Sequence, residues 1–125
     1  ITKAEDVIKD HIDKPLIVVR TEELVSHAIE RMRKYKISQI PVIDITGFVG
    51  SVDESDLFQS YVADKEVADK PIKDVMGKPF PIVKHGTPIE EVSKLFSKEN
   101  EAVLVELENG NHHIITKYDI IGSIK

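Results

Sequence analysis

The sequence predicts an α/β (α+β) fold in which one α-β-α-β-β-α unit is written twice. Three observations carry that prediction. Two stretches place apolar residues at helical spacing behind a Thr and a pair of acidic residues. Each is followed by two short β-rich segments around a Gly-containing turn, and then by a short helical pattern. The copies also keep step: Asp119 lies 63 residues after Asp56, Ile115 lies 63 after Val52, and Phe96 lies 64 after Met32. An offset held that steadily marks an internal repeat, placed at residues 1–62 and 63–125.

A leading helix opens each copy, at Ala4-Glu-Asp-Val-Ile8 in the first and around Lys73-Asp-Val-Met76 in the second. The second lies in a polar segment, Asp64 to Lys78, anchored by Val67, Ile72, Val75 and Met76. A strand at Leu16–Val19 leads into the first long helix, where Leu24, Val25, Ala28, Ile29, Met32 and Tyr35 form one apolar face. Thr21 is placed to cap it, with Glu22 and Glu23 in the first turn, where the positive end of the helix dipole favours them. Ile82-Val83 leads into the second helix. There Thr87 caps, Pro88 takes the first helical position and Glu90 completes a capping box ahead of Ile89, Val92, Leu95 and Phe96. Strand pairs follow at Gln39–Ile43 with Phe48–Val52, and at Ala102–Leu107 with His113–Thr116. Ser55–Tyr61 and Lys117–Ile124 close the copies as helices.

At 125 residues the chain is long enough for one domain, or for two half-domains sharing a core. Hydrophobic residues make up 41% and charged residues 31%, an ordinary globular balance. No apolar run reaches the ~18–20 residues of a bilayer span and no secretory signal is present, so a cytoplasmic chain without membrane contact is expected. Ile1 is not an initiator Met, and the chain is expected to be a piece of a longer protein. Seventeen Lys+Arg against 22 Asp+Glu leave a net charge of −5, whereas a phosphate-backbone binder carries a basic excess. No nucleic-acid partner is expected, and Arg31, Arg33, Lys34 and Lys36 read as a solvated helix face. The absence of cysteine excludes disulfides, thiol catalysis and thiolate metal sites.

The chemistry concentrates where the closing helices begin. Thr116-Lys117-Tyr118-Asp119 reads as a helix start, with Thr116 as N-cap and Asp119 one turn on. The same residues can also receive a ligand. A Thr hydroxyl and free N–H groups suit an anion, and an Asp carboxylate can accept both hydroxyls of a ribose. Asp53-Glu54-Ser55-Asp56 is the parallel stretch, which also reads as an acid-rich helix start. His112 and His113, adjacent on a strand, point to opposite faces and read as turn histidines rather than a metal pair; His11, His27 and His85 complete no ligand set. No metal site is expected. No G-x-S-x-G, P-loop or Schiff-base context occurs, so no residue is assigned to catalysis.

Ser38-Gln-Ile-Pro-Val42, Gly50-Ser-Val-Asp-Glu-Ser-Asp56 and Ile114-Ile-Thr-Lys-Tyr-Asp-Ile-Ile121 resemble the repeated elements of CBS domains, whose tandem pair is called a Bateman module. The resemblance covers essentially the whole chain. More narrowly, Lys98-Glu-Asn-Glu-Ala-Val-Leu-Val105 followed by His112-His-Ile-Ile-Thr-Lys-Tyr-Asp119 resembles the C-terminal regulatory region of bacterial cystathionine β-synthases. The resemblance implies two pseudo-symmetric repeats packed through their sheets, with two clefts between them. In one, Thr116 and Lys117 would meet phosphate or an equivalent polar group and Asp119 the ribose. Ile114 and Ile115 would line the floor, Ile12 the mouth, and Ile17, Ser38, Gln39, Ile40 and Pro41 the adenine-facing wall.

The sequence departs from that pattern at three places. Asp53 stands where the family has Thr, so a carboxylate would face the phosphate position, and like charges disfavour that pairing. His113 stands where the family has Gly, and Asn100-Glu-Ala-Val103 lacks the proline. The Asp53/Asp56 cleft is therefore expected to be the weaker one. The implied function is a non-catalytic regulatory module. It would sense S-adenosylmethionine or an adenine nucleotide (AMP, ADP or ATP) as effector, hold no cofactor of its own, and act as a homodimer on an attached catalytic domain of cystathionine β-synthase type. The competing expectations are a ligand-free dimerisation module, or the same pair attached to a transporter or a nucleotide-synthesising dehydrogenase.

Overall fold

Tight turns and β-branched segments build two three-stranded sheets of one design in the computed structural model, which describes residues 1–124. In the first, β1 (Val19–Arg20) runs parallel to β2 (Gln39–Asp44), which is antiparallel to β3 (Gly47–Asp53). Asp44 shapes the turn between them. Its carboxylate accepts from Thr46 N at 2.7 Å and from the Thr46 hydroxyl at 2.5 Å, while Gly47 takes φ 126°, a value side chains disfavour. In the second sheet, β4 (Ile82–Lys84) runs parallel to β5 (Ala102–Glu106), itself antiparallel to β6 (His112–Thr116). Parallel neighbours need a crossover. Helices α1 (Val25–Tyr35) and α3 (Ile89–Ser93) supply it, and α2 (Glu54–Ala63) and α4 (Lys117–Gly122) follow β3 and β6.

The expected helix starts shift where side chains find other partners. Thr21 does not cap α1: its N–H donates to Ile43 O and its carbonyl accepts from Lys73 N. The Glu23 carboxylate accepts from Arg20 N at 2.8 Å and from both Arg31 terminal nitrogens at 2.9 and 2.6 Å, so a turn precedes the helix and Leu24 holds the cap position. Those bonds, Arg31 first, hold the Glu23 carboxyl down at about 2. Thr87 likewise donates its hydroxyl to Lys84 O, Pro88 takes the cap position, and Glu90 falls one residue short of a capping box. A turn joining Ser97 and Asn100, with Asn100 Nδ2 donating to Leu95 O, ends α3 before Leu95 and Phe96. Thr116 caps α4 as the sequence predicts, and α4 stops at Gly122, short of Ile124.

The leading helices are 3-10 segments, Ala4–His11 in the first copy and Val67–Asp69 with Ile72–Asp74 in the second. Packing interleaves the copies. Ile17–Pro79 form one compact unit, and Ile1–Leu16 with the chain from Phe80 onward form the other. Each leading segment is thus stitched to the start of the crossover helix of the other copy: Ala4 N donates to Thr87 O and Ile89 N to Thr2 O, just as Ile72 N donates to Glu23 O and Val25 N to Lys70 O. The core of the β1–β3 unit gathers Val19, Val25, Ala28, Ile40, Val42 and Ile72. That of the β4–β6 unit gathers Ala4, Ile8, Val92, Val103, Val105 and Ile115.

Candidate functional site

The chain leaves β6 at Thr116 and turns at once into α4, which brings Asp119 back beside Thr116. The Asp119 Oδ2 accepts from Thr116 N at 2.8 Å and from the Thr116 hydroxyl at 3.1 Å. Its Oδ1 lies 3.1 Å from His11 Nε2, and the Asp119 side chain is 13% exposed. An ionised carboxylate only accepts, so His11 donates through Nε2. Asp119 is therefore a fixed, partly buried acceptor whose position comes from its own helix cap and from the leading 3-10 segment.

His113 is buried in β6 rather than exposed at a turn. Its Nδ1 accepts from Ile114 N at 2.9 Å, so Nε2 carries the proton and donates to Lys14 O at 3.1 Å. Its ring lies 5.0 Å, centroid to centroid, from that of His11. The matching residue in β3 is Gly50, where a Cβ would come within 2.6 Å of Met76 Sδ and 3.0 Å of Gly77 O. One unit accepts its leading segment through a bare glycine, the other through an imidazole.

Lys117 is occupied within its own unit: Nζ donates to Ser97 O at 3.1 Å and pairs with Glu101 at 3.3 Å. Ile115 is fully buried in the core, while Ile114 and Ile12 are half-buried, Ile12 against that same core. Ile17, Ser38, Gln39, Ile40 and Pro41 belong to the β1–β3 unit. Ile40 and Pro41 are fully buried there, Ile17 packs on the core, and the Ser38 hydroxyl donates to Glu54 at 3.3 Å. Asp53 caps α2: Oδ1 accepts from Ser55 N at 2.8 Å and Asp56 N at 3.3 Å, and Oδ2 from Gln39 Nε2 at 3.4 Å. Asp56 is exposed in the first turn. Among the described residues no three His, Asp or Glu side chains converge as metal ligands, and no helix is long and apolar enough to cross a membrane.

His11 carries no motif of its own, yet its place is legible by comparing the copies. Ile8 matches Met76, and Lys14-Pro15 matches Lys78-Pro79. Residues 9–13 lie between those landmarks in one copy and Gly77 alone in the other. The longer connection carries His11.

The CBS domain family matches residues 5–63 and 72–125. No curated protein matches the chain by sequence. Solved structures do. A CBS-domain containing protein from Agrobacterium tumefaciens superposes with a TM-score of 0.81 at 21% identity, over 97% of this chain and 92% of that one. A proposed signal-transduction protein with CBS domains from Burkholderia ambifaria gives 0.84 at 20%, over 98% and 93%. A protein from Methanocaldococcus jannaschii, described as a proposed archaeal homolog of g-AMPK, gives 0.74 at 20%, over 92% of this chain and 46% of that one. At such identities the likeness carries the fold.

Proposed function

Because the chain belongs to the CBS-domain family and holds two copies of the domain, we propose that it is a non-catalytic regulatory module that binds an adenosyl ligand through Asp119 and Thr116. The observation that carries this reading is the Asp119 carboxylate, fixed by its cap and still reached by solvent, as a ribose acceptor must be. The base-facing role of Ile17, Ser38, Gln39, Ile40 and Pro41 belongs to the same proposal. The engagement of Lys117 with Glu101 leaves little cationic charge for a phosphate and favours S-adenosylmethionine over the nucleotides. Binding would shift the populations of the module and thereby control an attached enzyme, with a cystathionine β-synthase-like parent as the first candidate.

Thermal unfolding with S-adenosylmethionine, AMP, ADP and ATP tests this. A ligand at 100 times its dissociation constant stabilises by about 2.7 kcal/mol, a shift of several degrees. The expected result is a shift with S-adenosylmethionine that Asp119→Asn removes. No shift with any of the four contradicts the reading. One observation favours a second role, in assembly: Phe58, Tyr61 and Val62 are 62%, 45% and 56% exposed on α2, and the first two line a groove of about 420 Å³ beside α1.

A further inference from the structure

We infer that His11 is a specificity-determining residue of the Asp119 site, competing with a ribose diol for the carboxylate. The inference rests on the ligand reading above and adds a regulator that the repeat pattern does not contain.

The argument is one of hydrogen-bond capacity. A carboxylate offers about four acceptor positions, two on each oxygen. On Asp119, Oδ2 has both filled by the N–H and hydroxyl of Thr116, and Oδ1 has one filled by His11 Nε2. One position stays open. A single hydroxyl can occupy it without disturbance, but a vicinal diol brings two donors, so one existing bond has to break. The Thr116 bonds belong to the α4 cap and are local to it. The His11 bond spans 108 residues of sequence and rests on the extra turn at residues 9–13, beyond the kink at Ile8 (φ −116°, ψ 15°). His11 is the donor that yields.

His11 is itself held beside β6, its ring 5.0 Å from that of His113, whose two ring nitrogens are committed to Ile114 N and Lys14 O. Lys117, the other charged residue of α4, is turned to Glu101.

The test is calorimetric titration of adenosine and 2′-deoxyadenosine into the wild-type chain, His11→Ala and His11→Gln. Adenosine should bind about fivefold more tightly to His11→Ala than to wild type, the worth of one hydrogen bond that no longer has to break. 2′-Deoxyadenosine, with one hydroxyl on that edge, should bind both chains alike. His11→Gln, which keeps a donor, should bind adenosine as wild type does. Adenosine binding that Asp119→Asn abolishes, yet that is unmoved by His11→Ala, overturns this inference alone. No binding of either nucleoside by wild type or His11→Ala overturns it together with the ligand reading.

Discussion

Glu23 shows how one side chain redirects a local rule. Placed by sequence in the first turn of a helix, it instead accepts from Arg20 N and both Arg31 nitrogens, and Arg31 also donates to Val18 O at 3.0 Å. The carboxylate joins β1, the turn and α1. Its pKa is lowered in the folded state to about 2, so the stabilisation is present above the unfolded carboxyl value and is lost as pH falls through the folded one. Acid titration of stability should show this contribution fading between about pH 4.5 and about pH 2. Because the Glu23 and Arg31 side chains are 24% and 33% exposed, screening trims the value. Glu23→Gln should cost about 1–2 kcal/mol near neutral pH, read by urea unfolding. An equal loss at pH 2 would place the effect elsewhere.

Among the elements, the paired strands and α1 were legible: β2 and β5 as short apolar runs buried almost throughout, β3 and β6 as strands of alternating burial, and α1 from its helical period. By contrast, β1 is Val19–Arg20 rather than Leu16–Val19, and α3 is cut to Ile89–Ser93. The closing helices were legible for a different reason: Thr116 and Asp53 hold the cap positions, Asp53 by accepting from Ser55 N and Asp56 N, and Thr116 through its N–H and hydroxyl to Asp119 one turn on. Thr21 and Thr87 mislead because Ile43, Lys73 and Lys84, distant or turn partners, outbid the cap position. The interleaved packing was not legible. A repeat period gives the extent of a copy, not the copy against which its leading segment folds. Gly50 measures that packing. Gly50→Ala drives a methyl into Met76 Sδ and the Gly77 carbonyl, and overpacking of this kind costs about 1–3 kcal/mol. Paired with Met76→Ala, which opens the space, the double variant should cost less than the sum of the singles. Strict additivity would mean that the two do not touch.

At the scale of the whole molecule, the sequence resemblance singled out Thr116 and Asp119 as the proposed site but could not show that His11 Nε2 already sits 3.1 Å from the Asp119 carboxylate. His11 belongs to an extra turn without motif value, and its partner lies at the far end of the chain. The expected homodimer is tested through α2, where Phe58, Tyr61 and Val62 leave apolar surface in solvent. Phe58→Glu with Val62→Glu should convert a sedimenting dimer to a monomer without lowering the melting temperature measured at high dilution. A wild-type chain that sediments as a monomer at every concentration contradicts the assembly role. The central claim, an adenosyl ligand on Asp119, is tested most directly by calorimetric titration of S-adenosylmethionine into the wild-type chain and Asp119→Asn. The account predicts saturable binding near one ligand per chain that Asp119→Asn abolishes while the variant still unfolds cooperatively. Equal binding by both chains, or binding by neither, contradicts it.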